Sequence, residues 1–185
     1  MKSILNFSHH LLEEIITPGE TVIDATSGNG NDTLFLSKLV GETGEVIAFD
    51  IQEQAIDNTD QLLMENNCSN VSLILDSHEN IGDYLFEDIE IGGAIFNLGY
   101  LPKSDKSIIT KGKSTIKAID TLLEHLKKNG RIILVVYYGH EGGEEEKNSI
   151  LKHVMSLDQK KYSALQYGFI NQKNNPPFII AIQKK

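Results

Sequence analysis

The chain has a single cysteine, Cys68, in 185 residues, so no disulfide can close within it and a reducing compartment is the expectation. No Cys/His cluster has the spacing of a zinc site, which leaves a metal-free fold as the default. No apolar run approaches the roughly 20 residues of a membrane-spanning helix, and residues 1–12 are too polar for a secretory leader. These absences together point to a cytoplasmic protein with no membrane partner. Positive charge is scarce as well: 17 Lys and Arg stand against 26 Asp and Glu, a formal net charge of −9. That balance argues against an indiscriminate grip on a nucleic-acid backbone, which draws its strength from cations neutralising phosphates. The basic residues that exist crowd two stretches, Lys103, Lys106, Lys111, Lys113 and Lys117, then Lys127, Lys128 and Arg131. Ordinary solvated lysines and a local positive face on an acidic body both remain open. No internal repeat, low-complexity tract or linker interrupts the chain, and one domain spanning residues 1–185 is expected.

The most informative segment is V-I-D-A-T-S-G-N-G-N-D-T, residues 22–33. A β-branched run ends in Asp24, two glycines follow one residue apart, and Asp32 or Thr33 then caps an apolar-periodic helix. Gly28 and Gly30 let the backbone turn sharply and approach a ligand, and the amides opening the helix supply donors and partial positive charge. A dinucleotide fingerprint needs a third glycine at position 33, where this chain has Thr33. With Asp24, Asp32 and Thr33 around the turn, S-adenosylmethionine fits better, because its ammonium and hydroxyls want carboxylate and hydroxyl partners and it has no pyrophosphate. Asp50 ends the next β-like run about 20 residues on, where a carboxylate can hold both ribose hydroxyls.

Seven β-like runs cover residues 21–25, 46–50, 71–75, 93–97, 131–137, 163–169 and 178–183. Helix-period segments at 32–40, 52–66, 78–85 and 114–128 separate the first five, the last closed by Asn129-Gly130. Alternating strand and helix implies a parallel sheet. A helix over 144–157 follows the fifth strand, but residues 171–177 leave no room for a crossover helix, so the last two strands form an antiparallel hairpin. This is an α/β chain with the plan of the class I, Rossmann-like methyltransferase fold, five parallel strands finished by a hairpin, with helices on both faces. A nicotinamide-dependent reductase is disfavoured by Thr33 and by that hairpin.

Ligands of open α/β sheets lie beyond the carboxyl ends of the strands. Those ends read Asp24-Ala25-Thr26, Asp50-Ile51-Gln52, Asp76-Ser77-His78, Asn97-Leu98-Gly99-Tyr100 and Tyr137-Tyr138-Gly139-His140. Asp76, Ser77 and His78 end the third strand where an adenine would lie if Asp50 held its ribose, although Asp76-Ser77 also suits a helix cap. In the fourth run an apolar strand delivers Asn97 to the ligand edge, and Gly99 folds the chain back with Tyr100 beside it. Methyl transfer to nitrogen requires an aimed lone pair stripped of water, and an Asn side-chain oxygen can accept an amine N–H and fix that aim. Tyr100 walls or stacks the acceptor, or simply packs. His140 either takes up the acceptor's proton or belongs to a flexible loop ahead of the acidic turn Glu144, Glu145 and Glu146. Asn174-Asn175-Pro176-Pro177 is a stiff hairpin tip that borders the acceptor pocket or is an ordinary turn. His9 and His10 lie on an amphipathic helix covering the cofactor edge. Adjacent positions on a helix point apart, which speaks against a shared metal.

Taken together, V-I-D-A-T-S-G-N-G-N-D-T, F-D-I-Q, D-S-H-E-N-I, F-N-L-G-Y-L-P, Y-Y-G-H-E-G-G and N-N-P-P-F resemble, over nearly the whole chain, the small bacterial proteins labelled rRNA methylases, the YtqB-like group. That group includes MnmM-type tRNA methyltransferases, which convert 5-aminomethyl(-2-thio)uridine at the wobble position to the 5-methylaminomethyl form. The resemblance implies S-adenosylmethionine as cofactor and tRNA, through its anticodon stem-loop, as partner. It implies cofactor contacts from Asp24, Thr26, Gly28, Asn29, Gly30, Asn31, Asp32, Thr33, Asp50, Ile51, Gln52, Asp76, Ser77, His78 and Asn97. Asn97, Tyr100, Tyr138 and His140 would surround the reacting amine, with Lys103 and Asn175 joining the substrate contacts. A monomer and a homodimer are both compatible with the sequence. Alternatives are a methyltransferase for another amine, in rRNA or protein, and a module that binds cofactor and RNA without turnover. Cys68 precedes a strand and offers no nucleophile for attack at uridine C5.

Overall fold

The structure, a computed structural model, describes residues 1–99 and 112–185. Tyr100, Lys103, Lys106 and Lys111 lie outside the described residues. Seven strands form one sheet: β1 (Thr21–Asp24), β2 (Glu45–Asp50), β3 (Val71–Leu75), β4 (Ile91–Leu98), β5 (Leu126–Val136), β6 (Tyr162–Tyr167) and β7 (Phe178–Lys184). Their order is β3-β2-β1-β4-β5-β7-β6. The first five run parallel, and β7 pairs antiparallel with both β5 and β6. Helices α1 (Ile4–Glu13), α2 (Asn31–Val40), α3 (Glu53–Glu65), α4 (Gly112–His125) and α5 (Gly143–Met155) flank it. This is the class I methyltransferase arrangement expected from the sequence.

Strand β4 shows why the middle of the sheet reads as a continuous apolar run. It lies between β1 and β5, covered on both faces, and only Asn97 near its end reaches partial exposure. Side chains alternate across the sheet. Phe96, Leu98, Leu134 and Val136 pack with α4 residues Ala118, Ile119 and Leu122 and with Ile150 and Val154 of α5. Ile95, Ile133 and Val135 pack on the other face with Leu11 and Leu12 of α1 and Leu36 and Val40 of α2. At roughly 1.5–3 kcal/mol for each fully buried large apolar side chain, these two layers dominate the favourable side of folding. Strand order reverses between β1 and β4, opening a crevice beyond their carboxyl ends.

Several element boundaries differ from the sequence expectation. The fourth helix stops at His125 rather than at Asn129-Gly130, and β5 begins at Leu126. The left-handed signal at Asn129 (φ 64°) instead serves an irregularity in the sheet, where pairing jumps from Ile91–Leu126 to Gly93–Arg131. Residues after β3 form a 3-10 turn, His78–Asp83, rather than an α-helix. Two residues of the second basic cluster, Lys127 and Arg131, prove structural, while Lys128 is exposed. Lys127 Nζ reaches Glu20 at 2.5 Å and the Ile15 carbonyl at 2.6 Å, while Arg131 donates to the Leu11 carbonyl at 2.7 Å and to Glu14 at 2.6 Å. Both cations fasten α1 to the sheet. Among the described residues no helix is long and apolar enough to cross a membrane.

Candidate active site

The loop after β1 is held by its own backbone and by the end of β2. Gly28 (φ 55°) and Gly30 (φ 80°) are left-handed, and Gly30, not Asp32 or Thr33, is the N-cap of α2. A Cβ on Gly30 would lie 3.0 Å from the Thr59 Cα, so this is a close approach that only glycine allows. Asp50 accepts from the Gly28 N–H at 2.9 Å and from the Gln52 N–H at 3.0 Å, coupling both turns through one carboxylate. Asn29 Oδ1 accepts from Asn58 Nδ2 at 3.0 Å, which ties the loop tip to α3.

Freed from capping, the first turn of α2 presents its polar side chains to the strand ends. Thr33 Oγ1 donates to Asp24 at 2.6 Å, and Asp24 also accepts from the Thr26 N–H at 3.1 Å. Burial, with the charge of Asp32 behind it, pushes the Asp24 carboxyl up to about 7, against the pull of the Thr33 and Thr26 hydrogen bonds. Burial also raises Asp50, opposed by the N–H groups of Gln52, Gly28 and Ile51. Three carboxylates thus gather around the crevice with no Lys or Arg pairing them among the described residues. A cation would relieve that arrangement.

Asp32 joins three elements. One oxygen accepts from His9 Nε2 of α1 at 2.5 Å, and the other accepts from Asn97 Nδ2 of β4. Carboxylates only accept, so the Asn97 amide must turn its NH2 to Asp32, and Asn97 Oδ1 has no protein partner among the described residues. The backbone N–H of Asn97 donates to Thr26 Oγ1 at 2.7 Å.

The adenine-side expectations divide. Asp76 accepts from the Ser77 N–H at 2.7 Å, Asn80 Nδ2 at 2.9 Å and Tyr84 Oη at 2.9 Å, and Ser77 caps the following turn, so both stabilise the turn. Ile51 remains half exposed beside Asp50. His78 turns inward: its Nδ1 faces the Ala25 carbonyl at 3.2 Å, its Nε2 faces buried Thr115, and burial lowers its affinity for a proton. It supports the loop from behind instead of lining the crevice. Asn31 opens α2 on the exposed side.

Beyond β5 the structure exchanges one tyrosine for another. Asn97 is in register with Val135, and Leu98 with Val136, so Tyr137 belongs to the face of Asn97 and Tyr138 to the opposite face. Tyr138 packs edge-on against Phe178, ring centroids 5.8 Å apart, with Lys147 Nζ 4.4 Å above its ring. Tyr137 is 37% exposed, and burial and then the nearby Asp32 raise its hydroxyl pKa. Tyr138, expected beside the reacting amine, thus packs on the face away from Asn97, and Tyr137 lies on the face of Asn97 instead. His140 faces the Tyr137 carbonyl at 2.8 Å through Nε2 and the Glu141 carbonyl at 3.0 Å through Nδ1, bracing the loop. Asn175 (φ 52°) comes against Gly139, whose Cβ position would lie 3.5 Å from the Asn175 Cβ. Sequence reading did not single out the His9 bond to Asp32 or the place of Tyr137 on the face of Asn97. Only the alternation of β5 against a correct register exposes Tyr137, and nothing local announces His9.

Residues 46–183 match the protein family described as "Putative rRNA methylase". The chain belongs to this family. A chloroplastic tRNA (mnm(5)s(2)U34)-methyltransferase from Arabidopsis thaliana is 36% identical over 195 residues, covering all of this chain and 70% of that protein. Among solved structures, a "putative rRNA-methylase" from Clostridium thermocellum superposes with a TM-score of 0.97 at 44% identity, covering 100% of this chain and 99% of the other. A "putative methyltransferase" from Streptococcus mutans, in complex with SAH, gives 0.92 at 43% identity, with 100% and 99% covered. The family member described here is thus a methyltransferase of the class I fold, the class that uses S-adenosylmethionine. Its residues fit that donor: a glycine turn that a Cβ would obstruct, and carboxylates that no Lys or Arg among the described residues pairs, suited to a cationic ligand bearing an ammonium and ribose hydroxyls.

Proposed function

We propose that the protein methylates the exocyclic amine of 5-aminomethyl(-2-thio)uridine at the wobble position of tRNA, giving the 5-methylaminomethyl nucleoside. The observation that carries the reading is the Asn97 amide, whose NH2 is committed to Asp32 and whose oxygen is left to accept an N–H. The full-length similarity to a methyltransferase named for the same modification supports the substrate class.

S-Adenosylmethionine, when bound, supplies a sulfonium methyl group open to direct displacement. Thr26 and Asp32 would hold the amino-acid end, backed by the buried pair Asp24 and Thr33, and Asp50 with Gln52 would hold the ribose. Asn97 Oδ1 accepts one amine N–H, leaving the nitrogen lone pair aimed at the crevice. Tyr137 gives the pyrimidine a flat apolar wall on the side of Asn97, and base entry requires leaving the anticodon stack. Asn175 and His140 border the same opening.

The deciding experiment incubates purified protein and labelled S-adenosylmethionine with unmodified or aminomethylated tRNA. Label appears only in the aminomethylated tRNA. Label in neither, or equally in both, overturns the assignment. The family description favours one second reading, an amine in rRNA, which nucleoside mass analysis of a deletion strain separates from the first.

A further inference from the structure

We infer that His9 is a positioning residue for methyl transfer, acting through Asp32 on Asn97. It rests on the reading of Asn97 as the amide that orients the acceptor amine. His9 belongs to α1, a helix outside the strand-turn-helix units that build the crevice, yet its Nε2 donates to Asp32 at 2.5 Å. Its ring lies flat on Phe35 of α2, centroids 3.9 Å apart and planes within 3°. Stack and hydrogen bond together fix the imidazole in one orientation, with Nε2 carrying the proton because its partner only accepts.

Asp32 is shared between His9 and Asn97, one oxygen to each, so neither bond can move without turning the carboxylate. Without His9 the carboxylate is free to rotate, and the Asn97 amide loses the partner that forces its oxygen outward. An amide that flips presents NH2 to the incoming amine, donor against donor, and the lone pair is no longer aimed. The neighbouring histidine plays no such part: His10 faces Glu13 and Glu14 on the outer side of α1. Helix α1 is itself pinned away from His9, by Arg131 on the Leu11 carbonyl, by Lys127 on the Ile15 carbonyl, and by Tyr167 Oη on the Lys2 carbonyl. Replacing His9 therefore leaves the helix anchored.

The test compares His9→Phe, which keeps a ring over Phe35 but cannot donate, with His9→Gln, which restores an N–H at similar reach. The side-chain NH2 resonances of Asn97, identified by their loss in Asn97→Ala, report the bond to Asp32 directly in the full-length protein. In H9F these resonances shift toward solvent values and kcat on aminomethylated tRNA falls about 10- to 100-fold, by more than KM for the donor rises as the freed Asp32 loosens its hold there. In H9Q the resonances stay near their wild-type positions and most of kcat returns. Unmoved Asn97 resonances in H9F, or wild-type kcat there, overturns the inference. Equal losses in H9F and H9Q that follow a lowered Tm overturn it as well, assigning His9 to holding the helix. Should the wild-type enzyme fail to turn over this RNA, the reaction assignment falls, while the Asn97 resonances in the two variants still decide the part given to His9.

Discussion

Thr26 Oγ1 accepts the backbone N–H of Asn97 at 2.7 Å, joining the loop after β1, proposed to receive the donor, to the end of β4, proposed to orient the acceptor. On that proposal a single hydroxyl holds the two halves of the displacement at fixed separation. Thr26→Val keeps the shape but leaves that N–H without its acceptor in a half-buried place. The expected cost is about 1–3 kcal/mol by chemical denaturation, with kcat falling more than donor affinity. Unchanged stability together with unchanged kcat would remove this link.

Asn97→Ala deletes the oriented oxygen and leaves the donor loop in place. Turnover drops about 10²-fold or more while the donor Kd, measured calorimetrically, stays within a few-fold of wild type. Parallel loss of both would show that Asn97 serves the donor alone.

The two adjacent tyrosines separate by readout. Tyr137→Ala raises KM for the RNA with stability altered by less than about 1 kcal/mol, as for a half-exposed wall. Tyr138→Ala instead costs about 1–3 kcal/mol, because Phe178 and Lys147 lose a partly buried packing partner. A stable Tyr138→Ala enzyme with impaired RNA binding would reverse the assignment.

Asp24 sets a pH dependence. Its pKa rises on folding from 3.8 to about 7, so between those values the folded state holds more protons than the unfolded state. Stability contributed at this position is therefore present at low pH and is lost as pH rises through the window, at most about 1.4 kcal/mol per pH unit. Asp24→Asn flattens that slope, so the mutant gains on wild type from pH 5 to pH 7.5 in denaturant titrations. A cationic donor favours the charged carboxylate, so donor binding near pH 6 releases a proton in wild type and none from this group in Asp24→Asn. A wild type that keeps or widens its margin over Asp24→Asn as pH rises would contradict the burial argument.

Gly30→Ala meets both a left-handed φ of 80° and the Thr59 backbone at 3.0 Å. About 1–3 kcal/mol of stability is lost, and donor binding weakens by more than in Gly41→Ala, which has open space but a similar φ of 67°. Equal effects at the two glycines would reduce the Gly30 approach to backbone strain alone.

The parallel sheet and the terminal hairpin were legible because strand-helix alternation and a short final connection are local signals, whereas the order of the strands was not among them. The acids at the ends of β1 and β2 were legible for the same reason: position at a strand end is a local property. His9 was not, since its meaning arises from where α1 docks, 23 residues from Asp32 along the chain. Tyr137 was not, since choosing between adjacent tyrosines depends on a register that shifts between Ile91 and Gly93. The inward path of His78 to Ala25 and Thr115 was not legible either, since a polar residue after a strand gives no local sign of which way it turns.

The anchoring of α1 also orders events during synthesis. The first helix emerges from the ribosome long before Lys127 and Arg131, the two cations that clasp its carbonyls. It must wait, loosely attached, until the fifth strand has been made and laid beside the fourth. Nascent chains ending ahead of residue 127 lack both clasps and leave the helix susceptible to protease, whereas chains extending through β7 protect it.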